Sequence, residues 1–290
     1  MEGRAVAPAA GTVVNALATG QGSAFAIDLE TTATVELTTD GAVVGTIAGA
    51  PDADTTLIER CARRALDAVG PRAGVDPAEY GARIRTESDV PIAAGLKSSS
   101  AAANATVLAT LDALDRDDAV DPLDACRLGV DAARDAGVTV TGAFDDASAS
   151  MLGGVTVTDN ATDDLRQRAV VEWEVLVYTP PERAFSADAD ADACARVAPM
   201  ADLAVELALD GRYGEAMTVN GFAYCAALGF DPGPLLEALP AASGVSLSGT
   251  GPSVVAVGTS EALDAAAEEW CQRPGTVRRT RTRTEGATTG

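Results

Sequence analysis

The order of apolar and polar residues predicts a chain in which strands and helices are interleaved. Residues 24–38 are rich in Thr and Val and alternate apolar with polar positions, which is typical of strands. Residues 54–69 repeat apolar side chains such as Leu57, Cys61 and Ala65 at helical spacing. The same patterns predict further strands at 41–49, 82–91, 154–159, 170–180 and 276–284, two short strands around the glycine turn of 244–258, and further helices at 98–114, 122–137, about 197–210, 213–228 and 260–271.

This mixture of helices and antiparallel-looking strand pairs predicts an α+β fold. We expect 154–159 and 170–180 to pair with each other. The polar stretch DNATDDLRQR between them predicts a break in the chain, so we divide it into domains at 1–165 and 166–290. The alternating arginines of 276–284 predict an exposed edge strand, since charged side chains discourage pairing at a sheet edge.

The net charge of the chain limits the kinds of molecule that it is expected to bind. The 290 residues include 43 Asp and Glu against 21 Lys and Arg, for a net charge of −22, and Lys97 is the single lysine. Such acidity with so little lysine indicates adaptation to molar salt or, alternatively, GC-rich codon usage. In either case the surface should repel nucleic acid and anionic membranes, because phosphate binding relies on clusters of Lys and Arg.

Histidine is absent, which excludes Ser-His-Asp and Cys-His nucleophilic sites, His-ligated zinc and His general bases. The five cysteines lie far apart and form no C-x-x-C pair, which fits a reducing cytoplasm. No apolar run reaches the roughly 18 residues of a membrane span. The first residues do not resemble a signal peptide, because Glu2, Pro8 and Asn15 interrupt its charge and apolar pattern. We therefore expect a mature cytoplasmic protein without a membrane segment.

The segment PIAAGLKSSSAAANA, residues 91–105, is the strongest candidate for chemistry. Gly95 allows a tight turn, and three serines then enter the first turn of a predicted helix. A helix N-terminus presents unpaired N–H groups and a positive dipole end, which together bind phosphate. Lys97 adds a positive charge beside them. The segment is not a Walker P-loop, because that motif requires Gly directly before its Lys.

Two further segments add to this prediction. LSGTGPSVV, residues 247–255, is a glycine turn whose backbone N–H groups can lie against a phosphate. TGAFDDASASMLGG, residues 141–154, is predicted to be a loop that carries the adjacent carboxylates Asp145 and Asp146. Phosphoryl transfer to an alcohol needs a carboxylate that orients the hydroxyl and accepts its proton. The three segments therefore predict a site for phosphoryl transfer.

These segments resemble the sequence motifs of the GHMP kinases. PIAAGLKSSSA is similar to their second motif, SGTGPS to their C-terminal glycine motif, and APAAGTVVNALATGQGSAFAID to their N-terminal small-residue motif. Within that family, Lys97 where Gly is usual, the triple serine and TGAFDDA are most similar to the archaeal-type shikimate kinases. The resemblance implies a two-domain α+β kinase with a mixed N-terminal domain and a ferredoxin-like C-terminal domain.

The resemblance also implies that the chain phosphorylates the 3-hydroxyl of shikimate with ATP and Mg²⁺, in chorismate and aromatic amino acid biosynthesis. Asp145 matches the catalytic aspartate, with Asp146 the less favoured base, and Lys97 supplies charge to the phosphates in place of the usual glycine. Ser99 matches the serine that ligates Mg²⁺, with a weaker match for Asp135. The implied ATP contacts are Pro91, Ile92, Ala93, Ala94, Gly95, Leu96, Lys97, Ser98, Ser99, Ser100, Ala101, Gly249, Thr250, Gly251 and Ser253.

The substrate contacts are less defined. The carboxylate of shikimate should need an arginine, for which we favour Arg183 over Arg85 and Arg4, and Thr12 and Asn15 are candidates to meet its hydroxyls. Two alternatives stay open. One is another GHMP kinase that acts on homoserine or mevalonate, and the other is a GHMP-fold protein that binds a small ligand without catalysis. A monomer and a homodimer are equally compatible with the sequence.

Overall fold

The computed structural model describes residues 1–90, 95–116, 118–139, 141–182 and 189–290. Strands and helices alternate along these residues, as the apolar pattern predicts. The strands are β1 (Glu2–Val14), β2 (Gln21–Thr38), β3 (Val43–Ile47), β4 (Gly81–Ser88), β5 (Val155–Asp159), β6 (Asp164–Ala169), β7 (Glu174–Thr179), β8 (Gly244–Leu247), β9 (Val254–Gly258), β10 (Thr276–Arg281) and β11 (Thr288–Thr289). The helices are α1 (Thr56–Val69), α2 (Ser98–Ala113), α3 (Pro122–Asp135), α4 (Phe144–Leu152), α5 (Ala191–Ala195), α6 (Ala198–Leu209), α7 (Tyr213–Leu228), α8 (Gly233–Ala238) and α9 (Ser260–Trp270).

The first sheet is built around the long strands β1 and β2. Its order is β11-β1-β2-β4-β3, and β5 and β6 extend it from the other part of β2. All of its described pairs are antiparallel except β3 with β4. Helices α1 to α4 pack beside this sheet, and the alanines of α2 let that helix approach β1 and β2 closely. At Gly3 of β1, helix α2 leaves no room for a side chain, since a Cβ there would lie 2.2 Å from the Ala109 carbonyl oxygen.

The second sheet has the order β10-β7-β9-β8, and its described pairs are all antiparallel. In chain order the elements run strand, helices, strand, strand, helix, strand, which is the ferredoxin-like arrangement. Trp270, Tyr224 and Leu235 are fully buried between this sheet and its helices. The expected α+β fold with a ferredoxin-like second half is therefore confirmed.

Two segments correct the sequence prediction. Residues 144–152, predicted as loop, form helix α4, and the predicted polar break contains strand β6. The expected pair between 154–159 and 170–180 is also wrong. Strand β5 pairs with β6, whereas β7 lies in the second sheet. Strand β6 escaped the sequence prediction because it is an edge strand whose side chains alternate only between exposed and half-buried, and only Leu165 and Ala169 among its residues are apolar.

The chain crosses between the two sheets twice. It leaves the first sheet after β6 and returns after β10, where the backbone of Thr282 bonds to that of Trp173 (3.0 Å). The return ends in β11, which pairs with β1 at Ala5 and Val6. Strand β6 extends across the predicted division at 165/166, and β11, from the second half of the chain, belongs to the first sheet. The domain limits of 1–165 and 166–290 therefore stay a prediction.

The last long strand, β10, lies at the edge of the second sheet, as its alternating arginines predict. These arginines are not simply solvated. Arg281 pairs with Asp28 at 3.2 Å, and Arg279 pairs with Asp264. In the part of the chain that the structure describes, no helix is long and apolar enough to cross a membrane, and the cysteines are free thiols.

Candidate active site

The predicted phosphate loop leads into the N-terminus of α2. Gly95 has a φ of 78°, and a Cβ at this position would lie 2.4 Å from the Ser248 carbonyl oxygen, so the turn requires glycine. Lys97 also adopts the left-handed region, with φ 62° and ψ 30°. The lysine therefore keeps a backbone conformation that favours glycine, and α2 begins at Ser98 immediately after it.

The Lys97 side chain is almost fully buried and reaches a carboxylate. Its Nζ lies 2.8 Å from Asp146 Oδ1, and the two side chains are 9% and 12% exposed. A Cβ at Gly249 would lie 3.1 Å from the same Nζ. Burial raises the pKa of Asp146 above its ordinary value, the charge of Asp145 raises it further, and the Lys97 ammonium lowers it. Lys97 thus links the α2 loop, the paired carboxylates and the C-terminal glycine turn.

Asp145 occupies the first turn of α4 and is 4% exposed. Its carboxylate Oδ1 accepts a hydrogen bond from Asn160 Nδ2 at 2.7 Å, and its backbone N–H donates to Asn160 Oδ1 at 3.1 Å. Gly22 leaves room for this carboxylate, since a Cβ there would lie 2.5 Å from Asp145 Oδ2. In the described contacts the Asp145 side chain accepts a hydrogen bond from a neutral amide and lies against the Asp146 carboxyl group, whereas Asp146 Oδ1 forms an ion pair with an ammonium group.

The C-terminal glycine turn is attached to both β1 and the α2 loop. Ser248 Oγ donates to the Gly95 carbonyl at 2.8 Å. The Gly249 N–H donates to Thr12 Oγ1, and the Gly249 carbonyl accepts from Asn15 Nδ2, each at 2.8 Å. The predicted glycine and small-residue motifs therefore meet in space, although they are some 230 residues apart in sequence.

A single cleft joins these groups. At one end it is polar, with Lys97, the serines that open α2, Asp145 and Asp146. Towards α1 and α3 it becomes apolar. Its lining consists of Asn15, Ala16, Leu17, Leu57, Gly95, Lys97, Ser98, Ser99, Ser100, Ala103, Gly129, Val130, Ala133, Val138, Thr139, Thr141, Gly142, Ala143, Asp145, Asp146, Ala147, Gly249 and Thr250.

Several predicted site residues do not line this cleft. Leu96 and Ala101 are buried beside it, as are Thr12, Gly251 and Ser253, which hold the glycine turn in place. The Ser253 hydroxyl bonds to Thr179 Oγ1 at 2.8 Å. Pro91, Ile92, Ala93, Ala94 and Arg183 lie outside the described residues.

The structure does not bring Asp135 into the cleft. It lies at the end of α3, where its Oδ2 is 2.6 Å from Arg64 Nη2 and its side chain is 44% exposed. Arg85 is 65% exposed and lies 4.0 Å from Glu87, and the Arg4 backbone bonds to Asp112. None of these three residues lines the cleft, so Asp135 as a metal ligand and Arg85 and Arg4 as substrate contacts gain no support from the geometry and stay predictions.

Sequence reasoning missed the residues that support the site from behind. Asn160 holds Asp145, and Asn220 accepts a hydrogen bond from the Asn15 N–H at 2.8 Å. Tyr224 Oη donates to the Asn15 carbonyl at 2.9 Å. Asn160 lies in the polar turn after β5, and Asn220 and Tyr224 lie within α7, so no motif in the sequence indicates their roles.

Comparison with known proteins gives a consistent set of relatives. Residues 56–154 match the GHMP kinases N terminal domain. A shikimate kinase of Halobacterium salinarum is 61% identical over 290 residues and covers all of both chains. A shikimate kinase of Methanococcoides burtonii is 50% identical over 270 residues, which are 92% of this chain and 91% of that one. The homoserine kinase of Cytophaga hutchinsonii has a similar fold, with a TM-score of 0.77 at 20% identity over 100% of this chain and 97% of that one.

Proposed function

The chain belongs to the archaeal shikimate kinases of the GHMP kinase family, and from this premise we propose how its cleft transfers a phosphoryl group from ATP to shikimate. The observation that carries the proposal is that Lys97, Asp145 and the N-terminus of α2 meet in one cleft. These are a cation, a carboxylate and a set of unpaired N–H groups, which transfer to an alcohol requires.

We place the phosphates of ATP at Ser98, Ser99 and Ser100, where the helix N-terminus offers N–H groups and hydroxyls. The Gly249–Thr250 turn faces the same position from the second sheet. Among the described residues that line the cleft, Lys97 is the one with a positive charge, and it offsets part of the negative charge of the phosphates. The apolar part of the cleft, with Leu57 and Val130, fits the flat, weakly polar base of the nucleotide.

The oxygen-rich end of the cleft also fits Mg²⁺, which prefers one or two carboxylates together with substrate phosphates. The described residues contain no cluster of three or more acidic, Cys or His side chains that would hold a metal without the nucleotide. We propose that Ser99 Oγ, with Asp146 nearby, holds the ion beside the phosphates. When bound, it would neutralise charge on the transferred group.

In the transfer itself, Asp145 orients the 3-hydroxyl of shikimate and accepts its proton. The hydroxyl oxygen then bonds to the γ-phosphorus while the bond from that phosphorus to the β,γ-bridging oxygen breaks, which gives 3-phosphoshikimate and ADP. Asp145 suits this role better than Asp146. Its bond to the neutral Asn160 amide leaves its negative charge uncompensated, whereas Asp146 is bonded to Lys97.

The remaining assignments are also proposals. Asn15 lines the cleft beside the site, and we retain it as a candidate contact for a substrate hydroxyl, with Arg183 as the candidate for the carboxylate. Free thiols at the five cysteines support a cytoplasmic location. The net charge of −22 supports small-molecule substrates rather than nucleic acid.

The first test is ADP release in molar KCl with ATP and Mg²⁺, with shikimate, homoserine and mevalonate supplied separately. We expect turnover with shikimate alone. The Asp145→Ala variant should lose about 10²-fold or more in kcat while it still binds ATP, because it lacks the group that accepts the proton.

The matched control is Asp159→Asn, which removes a nearby carboxylate outside the cleft and should keep full activity. An Asp145→Ala variant with unchanged kcat would contradict the assignment of the base. Turnover with homoserine or mevalonate instead would keep the fold and mechanism but replace the substrate. ATP binding without any turnover would favour a ligand-binding protein.

A further inference from the structure

We propose that Asn160 is the positioning residue of the active site, which acts on the reaction only by holding Asp145. The inference rests on the proposed function of Asp145 as the base. Asn160 lies just after β5, 15 residues beyond Asp145, and does not line the cleft itself. It therefore has no direct access to the reacting groups.

The contact between the two residues has two points. Asn160 Nδ2 donates to the Asp145 carboxylate at 2.7 Å, and Asn160 Oδ1 accepts from the Asp145 backbone N–H at 3.1 Å. One amide thus fixes both the main chain and the side chain of the same residue. The carboxylate is confined on another side by Gly22, where even a Cβ would approach to 2.5 Å.

Asn160 is itself rigidly placed, since it is 2% exposed and bonded through both its side chain and its backbone. Thr158 Oγ1 donates to Asn160 Oδ1 at 2.8 Å. The Asn160 carbonyl accepts from Arg134 Nη2 at 3.1 Å, and the same guanidinium makes two 2.7 Å contacts with Asp163. These bonds also determine which way the amide faces, because its oxygen accepts and its nitrogen donates.

The contact with Asn160 bears on how two adjacent buried carboxyl groups are accommodated in the site. Asp145 and Asp146 are adjacent carboxyl groups in one buried helical turn, and the charge of Asp145 disfavours a charge on Asp146. Asp146 is held by Lys97, so Asp145 needs a second, neutral partner that fixes its position without neutralising it. An Asn can do this, whereas an Arg or Lys would place a positive charge against the carboxylate.

The test is a double-mutant cycle in the shikimate kinase assay, with wild type, Asn160→Ala, Asp145→Ala and the double variant. We expect Asn160→Ala to lower kcat by about 10-fold or more, with the KM for ATP within about 3-fold, because binding groups are untouched. In the Asp145→Ala background, the same change should lower the residual rate by less than about 2-fold, since the residue that Asn160 holds is already absent.

Asp159→Asn, at the neighbouring residue of the same turn, serves as the control and should change kcat by less than about 2-fold. If Asn160→Ala does not fold, Asn160→Asp replaces it. That variant keeps the shape and the acceptor for the Asp145 N–H but turns the donor into a repelling oxygen, so we again expect a loss of 10-fold or more in kcat.

Two results would overturn the inference alone: a wild-type kcat in both Asn160 variants, or an equal further loss when Asn160→Ala is added to Asp145→Ala. The second result would assign Asn160 a general structural role. A wild-type chain that does not turn over shikimate, or an Asp145→Ala variant with full kcat, would instead overturn the proposed function on which the inference depends.

Discussion

Replacement of Lys97 by Met tests how the paired carboxylates are kept in a buried site. The Lys97 ammonium lies 2.8 Å from Asp146 Oδ1, and it lowers the pKa of that group against the opposing effects of burial and of the Asp145 charge. Without it, Asp146 keeps its proton to a higher pH in the folded protein. The unfolded chain loses that proton near the ordinary value of 3.8.

The sign of the stability effect follows from this difference. Where the folded state holds a proton that the unfolded state has released, the free energy of unfolding falls as pH rises, by at most about 1.4 kcal/mol per unit. In wild type this fall ends once Asp146 ionises, whereas in Lys97→Met it continues to higher pH. The gap between the two proteins should therefore widen with pH and reach about 3 kcal/mol over two units, comparable with other broken buried ion pairs.

The assay is urea unfolding in molar KCl between pH 6 and 9, followed by tryptophan fluorescence from Trp173 and Trp270. The double variant Lys97→Met/Asp146→Asn should return to within about 1 kcal/mol of wild type and lose the extra pH dependence, because residue 146 no longer carries a charge that has lost its partner. Arg212→Met, which breaks an exposed pair with Glu215, is the control and should cost at most about 1 kcal/mol. A Lys97→Met variant that parallels wild type across this pH range would refute the reasoning.

Three further outcomes are expected. Gly22→Ala should lower kcat by about 10-fold or more with little change in the KM for ATP, because its Cβ would displace the Asp145 carboxylate, and steady-state kinetics checks this. Lys97→Gly should be more stable than Lys97→Met by about 1 kcal/mol in urea unfolding, because residue 97 has a positive φ, and equal stabilities would contradict that explanation. The melting temperature should rise between low and molar KCl if the acidic surface reflects salt adaptation, whereas a flat response would favour codon usage.

Helices α1 and α3 and strand β4, which the sequence predicted, each have one buried face. Strand β1 has buried residues on both faces from Ala7 onwards, so its small apolar residues do not alternate and the pattern does not indicate a strand. Strand β6 was not predicted for the opposite reason, since neither of its faces is buried. Helix α4 follows Ala143, which lies in the left-handed region, and it contains four Ala and Ser residues, which carry little periodic signal.

The residues of the site also fall into those that the sequence predicts and those that it does not. Lys97, Ser98 and Asp145 lie in local motifs whose residue types indicate phosphate chemistry, and the structure brings them into one cleft. Asp135 was chosen by distance along the chain, which does not show that the end of α3 faces Arg64 instead. The role of Asn160 could not be predicted from the sequence, because it depends on the pairing of β2 with β5, which brings Asn160 beside Asp145.

The return of the chain from β10 to β11 has a consequence for synthesis on the ribosome. Ala5 and Val6 are synthesised about 280 residues before their partners in β11, Thr289 and Thr288. At about 5–20 residues per second, this edge of β1 waits on the order of tens of seconds before it is covered. An uncovered strand edge can pair with another nascent chain. The acidic composition would then help to keep the newborn polypeptide hydrated and soluble during this interval, as well as the finished enzyme.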